Sequence, residues 1–208
     1  FRANGWGSAC RVLRDGADVA FLELSVPGLH NVQNALGALA ASCAAGLSPE
    51  DAAKHLSRFG GAKRRLERIA EIDGVLLLDE FAHHPREIAA SLCAVRTTLP
   101  GRAILVVFQP HRFSRTRLLA KEISESLSGA DRIIVTGIYA GPGEEPEAGV
   151  SSSLVTLALS SLGHEKVTLV EEKEEAAKLA ASLARPGDVI VTVGAGDVWK
   201  THGTIIKT

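Results

Sequence analysis

The sequence predicts an α/β protein whose larger part is a doubly wound, mostly parallel sheet. Three observations lead there. Beyond a glycine-bearing stretch at Phe59-Gly60-Gly61-Ala62, short apolar runs alternate with helix-like segments, the pattern of repeated strand–helix–strand units. Runs such as Ile104-Leu105-Val106-Val107-Phe108 and Val189-Ile190-Val191-Thr192-Val193 lack strict alternation, as expected when helices cover both faces of a parallel strand. With 46% hydrophobic residues but only 4% aromatic ones, the core has to be built from Ala, Val, Leu and Ile.

Taken in order, residues 9 to 26 hold two short stretches, Cys10-Arg11-Val12-Leu13 and Val19-Ala20-Phe21-Leu22-Glu23-Leu24. Asp15-Gly16 between them predicts a β-hairpin, and Pro27-Gly28 ends it. From His30 to Ala45 the chain is rich in Ala and Leu at helical spacing and stops at Gly46, a common residue after a helix. Ser48-Pro49-Glu50-Asp51 supplies an N-cap, a first-turn proline and acidic residues at the positive end of the helix dipole, so a second helix should run to about Arg58. Phe59 to Ala62 is the expected hinge. Strands are then predicted over Glu67 to Ile72, Val75 to Asp79, Ala103 to Phe108, Arg132 to Thr136, Lys166 to Val170 and Val189 to Val193. Helices are predicted over Pro85 to Thr97, Ser114 to Leu127, Ser152 to Leu162, Lys173 to Ala184 and from Asp197 onward. There is no internal repeat.

A formal net charge of -1 leaves no global field to recruit nucleic acid or an anionic membrane, so neither is an expected partner and attraction for anions has to be local. Basic clusters do occur at Lys63-Arg64-Arg65 with Arg68, and at His111, Arg112, Arg115 and Arg117; a solvated face is the plain alternative for each. The three cysteines, Cys10, Cys43 and Cys93, are odd in number and widely spaced, and read as small buried hydrophobes in a reducing cytosol. No apolar stretch approaches the roughly 20 residues of a membrane span. The chain has no methionine and opens at Phe1, from which a piece of something longer is expected.

Four places could carry chemistry. Asp79-Glu80-Phe81-Ala82-His83-His84-Pro85 closes a strand with two carboxylates and opens a helix with two histidines, so it could meet a nucleotide hydroxyl and a phosphate together. Capping of the helix by Glu80 and His84 is the alternative, and adjacent histidines do not have the spacing of a metal pair. In Phe108-Gln109-Pro110-His111-Arg112-Phe113-Ser114-Arg115-Thr116-Arg117, Arg112 and Arg115 recur at a spacing of three and could grip an anion bidentately from one face of a helical turn. Cations there oppose the helix dipole unless an anionic ligand or acidic partner compensates them. His83, His84, His111, Arg112 and Arg115 should therefore gather at one end of the sheet, where open α/β sheets keep their ligands. Gly194-Ala195-Gly196-Asp197 lacks the third glycine of a dinucleotide fingerprint and fits a tight strand-to-helix turn better. His30 and Asn34 lie one helical turn apart, and an Asn amide offers the donor and acceptor an adenine edge requires, although capping is the commoner use.

Together, Val26-Pro27-Gly28-Leu29-His30-Asn31-Val32-Gln33-Asn34-Ala35-Leu36, Lys63-Arg64-Arg65, the loops at Asp79 to Pro85 and Phe108 to Thr116, and Gly194-Ala195-Gly196-Asp197 are similar to the Mur ligases, in family order across nearly the whole chain. The resemblance implies residues 1–62 as the C-terminal part of an α/β ATP-binding central domain and 63–208 as a Rossmann-like C-terminal domain. It points most closely to the member that joins L-alanine to the lactyl carboxylate of UDP-N-acetylmuramate in cytoplasmic peptidoglycan synthesis. In that family the carboxylate takes the γ-phosphate of ATP, and the amine attacks the resulting acyl phosphate. By similarity, Asn34 and His30 would contact adenine, Arg65 and Glu80 the ribose and phosphate region, and His83, Arg112 and Arg115 the amino acid and acyl phosphate. No metal ligand is assigned in the chain, because magnesium would be held elsewhere in the central domain.

Two departures stand out. The family loop usually reads D-D-Y where this chain has Asp79-Glu80-Phe81, and phenylalanine there is expected of the related murein peptide ligase, which attaches a recycled tripeptide to the same sugar. That is the runner-up, ahead of a non-catalytic anion-binding module and of folylpolyglutamate synthase, a fold relative whose loops differ. No G-x-x-x-x-G-K-[ST] occurs, so the chain is expected not to catalyse alone.

Overall fold

The structure, a computed structural model, describes residues 1–208 and divides into two compact units, Phe1–Ala62 with Cys93–Gly101 and Lys63–Leu92 with Arg102–Thr208. In the first unit β1 (Arg2–Asn4), β2 (Gly7–Arg14) and β3 (Ala17–Leu24) form an antiparallel sheet in that order. Asp15 and Gly16 both take positive φ, 52° and 83°, the turn whose twist matches its flanking strands. Two helices follow, α1 (Leu29–Ala44) and α2 (Pro49–Leu56). Gly28 opens α1 at φ 95°, and a Cβ there would lie 2.7 Å from the Ala94 Cβ and from the His30 ring. Ser48 caps α2 by accepting from Asp51 N at 3.1 Å. Val12, Leu22, Leu24, Val32, Ala35 and Leu39 share the core between sheet and helices.

The second unit is built on a six-stranded sheet of β4 (Glu67–Ile72), β5 (Val75–Glu80), β6 (Ile104–Phe108), β7 (Arg132–Val135), β8 (Val167–Leu169) and β9 (Val189–Val193), ordered β4-β5-β9-β6-β7-β8. All pairings are parallel except β4 with β5, a hairpin turned by Asp73 and Gly74 at φ 49° and 80°. The crossovers are α3 (Pro85–Thr98), α4 (Phe113–Leu127), α5 (Ser153–Ser161) and α6 (Lys173–Leu183). The chain ends in a 3-10 turn, Val198–Thr201, and α7 (His202–Lys207), where one continuous helix was expected.

Alternation along the strands sorts the core into two layers. Leu77, Leu105, Val107, Ile134 and Ile190 pack with Ala176, Ala177 and Ala180 of α6 and with Val198 and Ile205. The intervening Leu76, Leu78, Ile104, Val106, Ile133 and Val191 are just as buried and face the opposite side of the sheet. The small aromatic content is met by alanine on α6, which lets that helix lie close to the strands.

The cysteine expectation holds for Cys10 alone. Cys43 is partly buried, packed against the edge of the first unit's core, and Cys93 is exposed on α3. No helix is long and apolar enough to cross a membrane.

Candidate active site

Glu80 and Phe108 both pair in register with Val193, so the loops after β5, β6 and β9 leave the sheet at one edge. The insertion of β9 between β5 and β6 makes this the point where strand order reverses, the place where such sheets leave a crevice. The loops bring the His83 and His111 rings to 5.9 Å. His111 stacks on Tyr139, which arrives from the segment after β7, at 5.7 Å and 12°. Arg115, from the first turn of α4, places Nη1 2.9 Å from His111 Nδ1. His84 turns away to its own helix, where its Nδ1 accepts from Arg86 N at 3.3 Å, so the capping alternative holds for that residue.

Arg112 corrects one expectation. It is not helical but stands just before α4 with φ 73° and ψ 137°, so it does not share a helical face with Arg115. Its backbone is pinned by a bridge between residue 111 and Tyr139, in which Arg112 N donates to Tyr139 O at 2.9 Å. Its guanidinium passes against Gly141, where a Cβ would lie 3.0 Å from Nε. The acidic partner demanded by cations at a helix start is present: Glu144 accepts from Ser114 N at 3.2 Å and Ser114 Oγ at 3.0 Å. Burial would raise this carboxyl, but those bonds and the Gly141 and Phe113 N–H groups hold it below the usual glutamate range. Glu144 therefore accounts for the dipole argument, and the anion-binding case rests on the guanidiniums themselves.

Beneath this rim lie two buried carboxylates with opposite tendencies. Asp79 accepts from Arg64 Nε at 3.0 Å and from Thr192 Oγ1 at 2.8 Å, with His202 Nε2 at 3.6 Å. Burial pushes its pKa up, but the hydrogen bonds from His202 and Thr192 and the charge of Arg64 outweigh it and hold it below the ordinary value. Glu80, only 2% exposed, accepts from Leu66 N at 3.1 Å and Ala82 N at 2.9 Å. Here burial wins over those N–H groups, Ser91 and Arg65, and the pKa is raised. Arg65, half exposed, approaches Glu80 at 3.7 Å and Glu87 at 3.8 Å. Phe81 lies under both arginines, 5.0 Å from the Arg64 guanidinium and 5.5 Å from that of Arg65.

The turn after β9 is held, not open. Gln109 Oε1 accepts from Asp197 N at 2.8 Å and Val198 N at 2.9 Å, while its Nε2 donates to Asp197 Oδ1 at 3.0 Å. Lys173 completes the clamp at 2.5 Å from Asp197. A Cβ on Gly196 would meet the Tyr139 ring at 2.6 Å, so Gly194 to Asp197 is the tight turn its spacing suggested. In the first unit, His30 and Asn34 stand on one face of the opening turn of α1, half-buried and exposed respectively. No group of three or more His, Cys, Asp or Glu comes together that could hold a metal ion.

Sequence reasoning did not single out Tyr139, Glu144, Glu87 or the Gln109 clamp. Only Glu87 had a local signal, four residues after His83 on a helix start.

The doubly wound sheet with this loop cluster at its switch point is the architecture of an α/β ligand-binding domain. The profile of the Mur ligase, glutamate ligase domain matches residues 64–196, and the chain belongs to the Mur ligase family. It is 41% identical over 188 residues to the UDP-N-acetylmuramate–L-alanine ligase of Symbiobacterium thermophilum, covering 90% of this chain and 39% of that protein. The enzyme of the same name from Streptomyces avermitilis is 44% identical over 196 residues, covering 94% and 42%. Among solved structures, the UDP-N-acetylmuramate-alanine ligase of Thermotoga maritima matches with a TM-score of 0.82 at 26% identity, over 99% of this chain and 44% of that one. A murein peptide ligase from Psychrobacter arcticus matches with a TM-score of 0.67 at 26% identity, over 99% and 42%. The chain spans about two-fifths of the length of the curated relatives it matches.

Proposed function

We propose that this chain forms the C-terminal part of a cytoplasmic, ATP-dependent ligase that joins L-alanine to UDP-N-acetylmuramate through an acyl phosphate. The observation that carries the reading is the meeting of His83, His111 and Arg115 at the sheet's switch point, with Arg112 close enough to help depress the His111 pKa. The names of the relatives support the same choice. Residues 1–62 would be the end of the ATP-binding central domain and 63–208 the C-terminal domain.

In this reading the guanidiniums of Arg112 and Arg115 neutralise the amino acid carboxylate and the charge developing on the acyl phosphate, two tasks suited to the same planar donors. His83 faces the amino group. His30 and Asn34 contact the adenine of ATP. Arg65, being half exposed, reaches the ribose and phosphate region, and Glu80, buried beside it, acts there through Arg65 and the loop it anchors. The γ-phosphate of ATP supplies the activation that turns the carboxylate into an acyl phosphate. Magnesium ligands belong to a part of the enzyme outside these residues, and no step here depends on them. Because no P-loop occurs in the 208 residues, the chain alone is expected to show no turnover.

Phe81 favours the murein peptide ligase as second reading. Amide formation by the intact ligase carrying this chain, supplied with ATP, UDP-N-acetylmuramate and either L-alanine or the tripeptide, separates the two. Preference for L-alanine supports the proposal, and preference for the tripeptide replaces it.

A further inference from the structure

We propose that the partners of His111 and His83 fix the two imidazoles in opposite tautomers, and that His111 is the positioning residue that holds Arg115 in the amino-acid site. What this says about the substrate rests on the ligase reading, whereas the tautomers stand on geometry alone.

A guanidinium can only donate. With Arg115 Nη1 2.9 Å from His111 Nδ1, that nitrogen has to be a bare lone pair, and the ring proton sits on Nε2. The same Nη1 lies 3.3 Å from the His111 carbonyl, so the histidine grips the guanidinium with two acceptors. A second ring proton would set N–H against N–H and break the grip. The groups around the ring act in the same sense. Burial, Arg115 from α4, His83 from the loop after β5 and Arg112 from the residue just before α4 all lower the His111 pKa, while Glu144 opposes them and Tyr139 covers one ring face.

His83 is the reverse case. Its Nδ1 lies 3.2 Å from the Phe81 carbonyl, a group that can only accept, and 3.6 Å from Glu87 Oε2. The proton is therefore on Nδ1 and the lone pair is on Nε2. Glu87 is itself held by the His83 and His84 N–H groups at 3.1 and 3.3 Å. Two rings 5.9 Å apart thus offer one N–H donor and one lone pair. A free amino acid has the complementary pair, an ammonium to donate and a carboxylate to accept. Transfer of one ammonium proton to His83 Nε2 leaves an imidazolium beside Glu87 and frees the amine lone pair for attack.

The test is nitrogen-15 spectroscopy of the histidine-labelled 208-residue chain, with His83→Asn and His111→Asn used to assign the two rings. Neutral His83 is expected to carry its proton on Nδ1, the less common tautomer of free histidine, and His111 on Nε2. Arg115→Ala should raise the His111 titration midpoint. A neutral His83 protonated on Nε2, a neutral His111 protonated on Nδ1, or an unmoved midpoint overturns the proposal. In the intact ligase, Asn at position 111 keeps an acceptor where Nδ1 stood. His111→Leu is therefore expected to raise KM for L-alanine by about tenfold or more and His111→Asn by less than about threefold. Equal effects would show that His111 does not act through Arg115. Should the parent enzyme prove not to use amino acids at all, the ligase reading falls while the spectra still decide the tautomers.

Discussion

Arg112 is held at φ 73° and ψ 137°, a conformation that costs an L side chain on the order of 1 to 3 kcal/mol. The strain persists because the bridge to Tyr139 and the start of α4 both need the backbone there. Arg112→Gly should therefore stabilise the chain by about 1 kcal/mol in urea unfolding while weakening use of the amino acid by roughly 10- to 1,000-fold in the intact ligase. Greater stability with lost function would mark the guanidinium as present for the ligand. Asp79 makes a separate prediction. Replacing it with Asn leaves the mostly buried Arg64 without its counter-charge, at a cost of about 3 kcal/mol near neutral pH. Because the folded-state pKa of Asp79 is depressed, its contribution is complete above the ordinary aspartate value and lost as pH falls through the folded one. The gap between wild type and Asp79→Asn should close with acid. Glu80 has the opposite sign: its pKa is raised, so its contribution is complete below the ordinary glutamate value and lost as pH rises through the folded one. The histidines and arginines of the two loops were legible as sequence because polar residues between an apolar run and a helix start stand out. Tyr139 and Glu144 were not, since both reach the site from a different crossover and nothing local marks that meeting.

Among the elements, the turns follow most directly from local chemistry. Asp15-Gly16 and Asp73-Gly74 each adopt the paired positive φ that a two-residue hairpin demands. Ser48 and Pro49 start α2 as their positions suggested. Two features escaped: β1 is a three-residue exposed strand without apolar alternation, and the segment after Asp197 breaks into a 3-10 turn before α7. Both depend on neighbours outside their own sequence. The turn between β9 and that segment can be tested by itself. Gly196→Ala forces a Cβ to within 2.6 Å of the Tyr139 ring and against the Gln109 side chain. A loss of about 2 kcal/mol in urea unfolding is expected, together with a displaced Tyr139, whereas a neutral result would contradict a turn closed by the Tyr139 ring.

At the scale of the molecule, composition and the rhythm of strands and helices were enough to identify a doubly wound sheet, since a parallel strand covered on both faces has no other economical pattern. The insertion of β9 between β5 and β6 is what converts that sheet into a site, because it sets three loops at one edge. Strand order is a long-range property that propensities do not encode, so the crevice could be expected but not drawn. The central claim is that this edge holds the amino acid and the acyl phosphate of an alanine-adding ligase. Its most direct test is the rate of amide formation from ATP, UDP-N-acetylmuramate and L-alanine by the intact ligase and its Arg115→Ala variant. A loss of roughly 10- to 1,000-fold in kcat/KM for L-alanine, with KM for UDP-N-acetylmuramate little changed, is the predicted result; unchanged kinetics with L-alanine would contradict it.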